Sequence, residues 1–204
     1  MTEHMAEDAT DIRDREYCER LVRLQHSKWK TLLRVQAPYR WNLRRLEPGF
    51  TLEVGCGIGR NLAHLGGNAV GVDTNPYVVA VARQAGFRAF TPEDYSASEW
   101  NRAGAFDSLL LAHVAEHMRR DQLLELLQKY LPQLRSGGKL ILITPQEAGF
   151  RTDSTHLEFM DLGRLRGVAD ELGLVRIRDF SFPFPRLLGR VFAYNEFVCV
   201  SRKP

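Results

Sequence analysis

The stretch Thr51-Leu-Glu-Val-Gly-Cys-Gly-Ile-Gly59 decides the fold class of this chain. An apolar run that is typical of a strand enters a turn with three alternating glycines, and Arg60–Leu65 then follow with helical spacing. Glycine permits a sharp turn and leaves no Cβ between the backbone and a ligand. Such a turn between a strand and a helix predicts a nucleotide-sized pocket at the carboxyl end of the strand.

Two acids indicate which kind of nucleotide this pocket takes. The glycines are spaced G-x-G-x-G, whereas a loop that holds a pyrophosphate reads G-x-G-x-x-G. Glu53 lies two residues before Gly55, where it would repel a phosphate but suits a ligand with an amine. Asp73 follows Gly55 by 18 residues, close to the spacing of a ribose-binding acid. The pattern favours an adenosine with a cationic amino-acid tail, and a tight turn without a ligand is the alternative.

Glu53-Val-Gly-Cys-Gly-Ile-Gly59 with Asp73 resembles the first two motifs of class I S-adenosylmethionine-dependent methyltransferases. Two later stretches agree with this family. Ala112–Met118 resembles its segment after the fourth strand, and Leu131–Pro145 resembles a helix end, a glycine turn and the fifth strand. Arg135-Ser136 replaces the proline that the family usually has in that turn. The resemblance extends from about residue 50 to the C-terminus.

Strands and helices alternate along this region, which favours an α/β fold with a doubly wound, Rossmann-like sheet of seven strands. The last two predicted strands have no helix between them, so a C-terminal antiparallel hairpin is expected. The pattern predicts strands near 50–54, 69–73, 88–91, 106–111, 139–144, 174–182 and 192–201, and helices near 58–65, 76–85, 120–134 and 161–172.

The first 47 residues form an N-terminal helical extension that the minimal fold lacks. Apolar residues at helical spacing predict a helix over 11–36, ended by Pro38, and a shorter helix that begins at Trp41. We expect a helical lid over 1–47 and a cofactor-binding domain over 48–204. A helix that packs on one edge of the sheet is the alternative. In the lid interpretation Tyr39, Arg40 and Trp41 close over the cofactor, and Arg40 or Arg44 pairs with its carboxylate.

The composition of the 204 residues suits one globular protein that is not embedded in a membrane. Charged residues make up 26% of the chain, and no apolar run approaches membrane-spanning length. The polar, acidic N-terminus does not resemble a secretory signal. Three cysteines without metal spacing favour a reduced, cytoplasmic compartment, and Cys56 is interpreted as a small residue that fits the glycine turn.

The resemblance implies which residues bind S-adenosylmethionine. The carboxylate of the acid after the second strand offers two acceptor oxygens for the two ribose hydroxyls. The implied residues are Glu53, Gly55, Gly57 and Gly59 for the amino-acid tail and ribose, Asp73 with Asn75 for the ribose hydroxyls, Glu93 or Asp94 for adenine, and His113 for the methionyl part, with Tyr39 and Arg40 closing over them.

Methyl transfer to a hydroxyl requires alignment of the acceptor and removal of its proton. The long segment after the fifth predicted strand ends in His156, and a histidine can act as general base near neutral pH. We expect His156 to be this base, oriented by Asp153 or Glu147; a histidine that caps the next helix is the alternative. His113 is a further catalytic candidate, and His117 is interpreted as structural.

Metal use and the acceptor stay open at this level. Asp153, His156, His113 and Glu116 are candidate metal ligands without diagnostic spacing, so magnesium is neither predicted nor excluded.

The "P-Q-E-x-G" and "D-S-T-H" segments after the fifth strand resemble actinobacterial sugar O-methyltransferases of methylmannose polysaccharide synthesis. This favours a sugar or oligosaccharide acceptor such as a mannoside, with Trp29, Tyr39 and Trp41 available for stacking. The alternatives are an RNA-modifying methyltransferase and a non-catalytic cofactor-binding scaffold.

Nucleic acid is the less favoured partner. The net charge is only +3, and no basic run is interleaved with aromatic residues. Nucleic acid stays an alternative because arginines concentrate positive charge in the last third of the chain: Arg164, Arg166, Arg176, Arg178, Arg186 and Arg190. Association into a homo-oligomer is left open.

Overall fold

The computed structural model describes residues 14–22 and 29–204, with side chains from residue 36 onward in the second segment. The strands are β1 Thr51–Val54, β2 Ala69–Val72, β3 Ala89–Phe90, β4 Phe106–Ala112, β5 Leu134–Pro145, β6 Val175–Phe182 and β7 Glu196–Arg202. The helices are α1 over 14–22, α2 Trp29–Arg45, α3 Arg60–His64, α4 Pro76–Gln84, α5 Pro92–Ser96, α6 Arg120–Tyr130, α7 Glu147–Phe150 and α8 Leu162–Glu171. Short 3-10 helices cover Ala115–His117, Leu131–Gln133 and Arg186–Arg190.

The strands form one seven-stranded sheet in the order β3-β2-β1-β4-β5-β7-β6. β1 to β5 run parallel, and β7 pairs antiparallel with both β5 and β6. The predicted doubly wound sheet with a C-terminal antiparallel hairpin is confirmed. The strand order reverses between β1 and β4, and in open α/β sheets ligands bind outside the carboxyl ends of the strands at such a point.

Helices cover both faces of this sheet because successive residues of each buried strand point to opposite sides. Leu109 and Leu111 of β4 belong to a core cluster that also contains apolar residues of α6 and α8. Leu110 and Ala112 belong to a second cluster with residues of α2 and of the segment that follows it. Both faces of β4 are thus covered over Leu109 to Ala112, which explains the apolar run at these four positions.

Cys56 has a structural place in the smaller core cluster beneath α3 and α4. A Cβ added at Gly71 of β2 would lie 2.6 Å from Cys56 Sγ, so the thiol fills the space that this glycine leaves. Burial raises the pKa of the Cys56 thiol, which keeps it protonated. Cys18, Cys56 and Cys199 are all buried and unbridged.

The prediction that Pro38 ends a helix is wrong. Pro38 lies inside α2, which continues to Arg45, and no second helix begins at Trp41. A proline inside a helix removes one backbone hydrogen bond and costs about 3 kcal/mol or more. The turns after Pro38 recover this cost through packing, since Leu43 and Leu46 are 3% exposed in the core under the sheet. The part of the predicted 11–36 helix at 11–13 and 23–28 lies outside the described residues.

The last predicted strand is also placed too early. The expectation began it at residue 192, whereas β7 begins at Glu196 and Arg186–Arg190 form a 3-10 helix. Asn195 explains this boundary: it is fully buried, and its side-chain amide bonds with Gln146 and with the carbonyl of Phe184. These contacts make residues 184–195 a folded loop.

Across the described residues, no helix has the length and apolar character needed to cross a membrane.

Candidate active site

The glycine turn after β1 lies at the carboxyl edge of the sheet, and its three glycines have left-handed φ angles. The φ angle is 80° at Gly55, 52° at Gly57 and 87° at Gly59. A Cβ at Gly59 would lie 2.7 Å from Phe87 Cδ2, so that glycine is needed for packing against the protein itself. A Cβ at Gly57 would meet nothing within 4 Å. Gly57 therefore borders open space, as expected where the backbone faces a ligand.

We expect Gly57→Ala and Gly59→Ala to separate ligand binding from stability. Both place alanine in the left-handed region, which costs roughly 1–2 kcal/mol. Gly59→Ala adds the clash with Phe87 and should lose a further 1–3 kcal/mol or so. Gly57→Ala adds no clash but puts a methyl group into the cleft. Chemical denaturation and binding of S-adenosylhomocysteine test the pair; equal losses of stability in the two variants would contradict the assignment.

Asp73 follows β2 directly and is held by two backbone donors. Gly57 N donates to Asp73 Oδ2 at 2.8 Å, and Asn75 N donates to Oδ1 at 3.0 Å. Burial raises the pKa of Asp73, while these two N–H groups counteract the rise. Each carboxylate oxygen keeps a further lone pair. The group is thus fixed beside the glycine turn with acceptor capacity left for the hydroxyls of a ligand.

Glu53 is a buried carboxylate with one oxygen that lacks a partner. Only 1% of the residue is exposed, and Asn61 Nδ2 donates to its Oε1 at 2.7 Å. Its Oε2 has no hydrogen-bond partner in the described structure. Burial raises the pKa of Glu53 to about 8. An unpartnered buried carboxylate is costly unless a positive charge meets it, so a cationic ligand group would remove the penalty.

We expect Glu53→Gln to stabilise the ligand-free protein more at pH 8 than at pH 5. The pKa is about 8 in the folded protein and about 4.5 without the burial. As pH rises through this window the unfolded state loses a proton that the folded state keeps, so wild-type stability falls, and glutamine does not titrate. The gain should reach a few kcal/mol, at about 1.4 kcal/mol per pKa unit. Urea denaturation at both pH values measures it; an equal gain at the two would refute this explanation.

Arg60 is a site residue that sequence reasoning missed. It is the exposed first residue of α3. Its charge lowers the pKa of Glu53, Tyr17 and Tyr39. Arg60 therefore supplies positive charge between the glycine turn and the N-terminal helices. Its position directly after the third glycine of the motif was the available signal.

Asn75 serves the protein's own backbone. Its Oδ1 accepts from Tyr77 N and Val78 N and so caps α4, while its Nδ2 donates to the carbonyl of Asp14 at 2.9 Å. Both ends of the side-chain amide are used. A direct contact of Asn75 with the cofactor stays a prediction, whereas its support of the segment that carries Asp73 is part of the structure.

The two acids predicted to meet adenine both lie on α5. Asp94 forms an ion pair with Arg83 at 2.7 Å, and this is the one partner of its carboxylate among the described contacts. Glu93 is exposed one residue earlier. Thr91 caps the helix by accepting from Asp94 N at 3.2 Å. Of the two acids, Glu93 is the one without an ion pair among the described residues, so it is the better candidate.

The residues predicted to close over the cofactor have different surroundings. Tyr39 donates from its hydroxyl to the carbonyl of Tyr194 at 2.6 Å. Arg44 Nε donates to the carbonyl of His64 at 2.7 Å, which commits its guanidinium to the protein. Arg40 is exposed on α2, and its charge acts on His64 together with that of Arg60. Arg40 and Arg60 thus remain as candidates to pair with a cofactor carboxylate.

Trp41 and Trp29 give little support for a stacking platform. Trp41 is 57% exposed, with the guanidinium of Arg45 4.6 Å from its ring centroid. The side chain of Trp29 lies outside the described residues.

Helix α1 lies beside the carboxyl edge of the sheet. Arg20 forms an ion pair with Asp153 at 3.3 Å. The pKa of Tyr17 is raised by burial and by the charges of Asp73 and Asp153. Tyr17 therefore lies between the acid that follows β2 and the segment that follows β5. Helix α1 therefore contacts the segment after β2 through Asn75 and the segment after β5 through Asp153.

His113 directly follows β4 and has a left-handed φ of 59°, which is uncommon for a residue other than glycine. Its Nε2 lies 2.9 Å from Glu196 Oε1, and its Nδ1 lies 3.3 Å from Glu116 Oε1. Burial lowers the pKa of His113, but the two carboxylates outweigh this and raise it to about 9. A protonated imidazole between two acids cannot accept a proton, so this geometry disfavours His113 as a base. Glu196 was not anticipated from the sequence.

His156 has one ring nitrogen engaged and the other available. Its Nδ1 lies 2.7 Å from the carbonyl of Phe150, and the two rings stack at 5.2 Å. A carbonyl accepts only, so Nδ1 carries the proton and Nε2 keeps its lone pair. His156 does not cap α8, because Asp161 accepts from Arg164 N there. The imidazole is thus held in a tautomer that suits a base.

The groups expected to orient His156 do other work. Asp153 accepts from the backbone and side chain of Thr155 and pairs with Arg20, which together hold its pKa near 2. Glu147 forms a two-pronged ion pair with Arg186. The carbonyl of Phe150 provides the orienting contact instead. A backbone carbonyl leaves no signature in the sequence.

A second histidine and a buried glutamate lie next to His156. One ligand atom each from Glu116, His117 and His156 lies within 4.8 Å of the others. Glu116 is fully buried, and neither of its carboxylate oxygens has a hydrogen bond of good geometry. Of the four metal candidates named from the sequence, the structure brings Glu116 and His156 together with His117. His113 pairs with Glu116 and Glu196 through its two ring nitrogens. Asp153 bonds to Thr155 and Arg20.

The arginines in the last third of the chain mostly face carboxylates. Four of them lie within ion-pair distance of an acid, which leaves less charge for a polyanion: Arg164 with Glu158, Arg166 and Arg176 with Asp179, and Arg186 with Glu147.

The chain is similar to known proteins over its central part. Residues 52–142 match a family model described as a methyltransferase domain. Ubiquinone biosynthesis O-methyltransferase of Xanthomonas axonopodis pv. citri (strain 306) is 33% identical over 113 residues, covering 49% of this chain and 45% of that protein. The chain thus matches less than half the length of this curated relative.

Solved structures share the fold along most of the chain. A SAM-dependent methyltransferase from Archaeoglobus fulgidus superposes with a TM-score of 0.65 at 17% identity, covering 85% of this chain and 100% of that one. A TehB-like SAM-dependent methyltransferase from Corynebacterium glutamicum gives 0.64 at 20% identity, covering 93% and 99%. At such identities the likeness establishes the architecture alone.

Proposed function

Because residues 52–142 form a methyltransferase domain with the Rossmann-like fold of this enzyme class, we propose that the chain transfers a methyl group from S-adenosylmethionine to a hydroxyl group of a small molecule. One observation carries the proposal. Helix α1 contacts both the segment after β2, which carries Asp73, and the segment after β5, which carries His156 with Nδ1 engaged and Nε2 available.

The residues around the glycine turn fit this cofactor. The unpartnered oxygen of Glu53 suits its ammonium group, and Asp73 suits the ribose hydroxyls. Gly57 leaves room beside the turn, and Arg60 offers a cation to the carboxylate. When bound, the cofactor supplies an electrophilic methyl group on a sulfonium.

His156 supplies the proton acceptor. With cofactor and acceptor bound, His156 Nε2 would accept the proton that the acceptor hydroxyl loses on methylation. The carbonyl of Phe150 accepts from Nδ1–H and stabilises the imidazolium that results. A positioned base of this kind typically contributes about 10²–10⁴-fold to the rate.

The acceptor class proposed first is a sugar or oligosaccharide, such as a mannoside. The support is the resemblance of the segments that contain Gln146 and His156 to sugar O-methyltransferases. Phenols form the second class to be tested, because the curated relative is named for ubiquinone biosynthesis.

We also propose that α1 acts as a lid over the cofactor site and belongs to a separate N-terminal unit over 1–47. The support is its set of contacts: the carbonyl of Asp14 accepts from Asn75, and Arg20 pairs with Asp153. Tyr17 lies between these two contacts.

A panel of acceptors tests the reaction. Purified protein with S-adenosylmethionine is incubated with mannosides, other sugars, phenols and a short RNA, and S-adenosylhomocysteine formation is measured. The proposal expects product with a hydroxyl-bearing small molecule and identical rates with and without ribonuclease. Turnover with RNA alone would replace it by the RNA alternative, and binding of the cofactor without product from any acceptor would favour the scaffold alternative.

A further inference from the structure

The cluster of Glu116, His117 and His156 has the composition of a metal site. Two imidazoles and a carboxylate each offer one ligand atom, and these atoms lie within 4.8 Å of one another. Three protein ligands with a remaining open position are typical of zinc sites that act on substrates. The nitrogen donors disfavour magnesium, which prefers oxygen ligands and retains water.

The hydrogen bonds of both histidines leave a nitrogen for an ion. His156 Nδ1 is bonded to the carbonyl of Phe150, and His117 Nδ1 lies 3.3 Å from the carbonyl of Thr155. In metal sites the second ring nitrogen commonly donates to such a carbonyl, which fixes the ring and its tautomer. Nε2 is then the free ligand atom on each ring.

Glu116 has one carboxylate oxygen, Oε2, that no donor or cation of the described residues meets. Its side chain is fully buried, yet neither oxygen makes a hydrogen bond in the described structure. One oxygen lies 3.3 Å from His113 Nδ1, a distance that pairs charges but leaves the other oxygen unmatched. Buried carboxylates are otherwise hydrogen-bonded, paired or coordinated to a metal.

The backbone around the cluster is already fixed. The carbonyl of Glu116 accepts from Leu157 N at 2.7 Å and from Glu158 N at 3.2 Å, which joins the segment after β4 to the segment after β5. The two imidazole rings meet edge to face at 4.8 Å between centroids. Ligands of a tetrahedral ion at about 2.1 Å lie roughly 3.4 Å apart, so rotation of the exposed His117 ring would complete the site.

We propose that Glu116, His117 and His156 bind a divalent transition-metal ion, with zinc as the representative. The inference stands on the geometry of these side chains and does not depend on the proposed methyl transfer. The lone pair on His156 Nε2 cannot both hold an ion and accept a proton, so in the metal-bound protein the ion would acidify a coordinated hydroxyl and His156 would serve as its ligand in place of the base.

Metal binding to the full chain tests the site. Chelator-treated protein is titrated with zinc by calorimetry, and with cobalt(II) to record the visible absorption of a nitrogen-ligated ion, with neither acceptor nor cofactor present. We expect one ion per chain with micromolar or tighter affinity. His117→Ala and His156→Ala should each weaken it by about 100-fold or more, because even supporting residues of metal sites change affinity by about 10–100-fold.

Matched controls separate the cluster from general metal binding. His64→Gln changes a histidine elsewhere in the fold, and Glu125→Gln changes an exposed glutamate on α6; both should bind zinc like the wild type. His117 is exposed, so His117→Ala should keep its fold, which circular dichroism verifies. The absence of zinc binding, or affinity unchanged in both His117→Ala and His156→Ala, would overturn the proposal.

Discussion

Asp73→Ala is expected to lower the affinity for S-adenosylhomocysteine by at least about 100-fold, or roughly 2.7 kcal/mol. The substitution removes the acceptor proposed for the ribose hydroxyls. It also leaves Gly57 N and Asn75 N without their partner, so the glycine turn loses its anchor. Both effects weaken ligand binding, which makes this one of the two largest losses of function that we predict.

Calorimetry with S-adenosylhomocysteine measures this change in the wild type and three variants. Asp73→Asn should lose nearly as much, because an amide offers one acceptor oxygen where two hydroxyls need two. Asp121→Ala, an exposed acid at the start of α6, serves as the control and should bind normally. Affinity of Asp73→Ala within threefold of the wild type would rule out the assignment of the ribose contact.

His156→Ala should reduce kcat by about 10²–10⁴-fold while leaving the affinity for the cofactor unchanged. The affinity should be unchanged because the two sets of residues lie apart. The cofactor candidates surround the turn after β1, whereas His156 lies in the segment after β5 and bonds to Phe150. Loss of the imidazole removes the proton acceptor without touching that turn.

The comparison uses an acceptor found in the panel and identical metal conditions for every variant. Ser154→Ala, an exposed change in the same segment, is the control and should keep wild-type turnover. Asp153→Asn should have a much smaller effect than His156→Ala, since Asp153 bonds to Thr155 and Arg20 and does not hold the imidazole. Near-normal turnover of His156→Ala would exclude this residue as the base.

The cofactor side of the cleft was predictable because its signals are local. Three glycines with left-handed φ angles, a strand before them and a helix after them define a turn within nine residues. Glu53 and Asp73 then take their places from the parallel pairing of β1 with β2, which brings the ends of both strands together. Neither position depends on a distant partner.

The arrangement of the candidate catalytic residues was predictable only in part because their contacts join distant residues. His113 and Glu196 are 83 positions apart in the chain, and their contact exists because β7 inserts between β5 and β6. The Phe150 carbonyl that orients His156 is invisible to any reasoning about side-chain types. Segment order indicated which residues reach the carboxyl edge, but the choice of partners there required the packed structure.

Pro38 illustrates how packing outweighs local preference. The rule that proline ends a helix describes the isolated backbone. It failed here because Leu43 in the following turn of α2, and Leu46 just after the helix, are buried in the core. The start of β7 was missed for a related reason, since buried Asn195 holds the preceding residues in a loop.

If α1 is the lid that we propose, the bond from Asn75 to the Asp14 carbonyl links access to the cofactor site with its occupancy. Asn75 also donates its backbone N–H to Asp73, so one residue bonds to both α1 and the acid proposed to bind ribose. The contacts that keep α1 docked oppose ligand entry, because α1 must move away before a ligand can enter. The same contacts slow ligand departure. Substitutions that loosen α1 should therefore speed both association and dissociation of the cofactor, and its residence time would be set far from any atom that it touches.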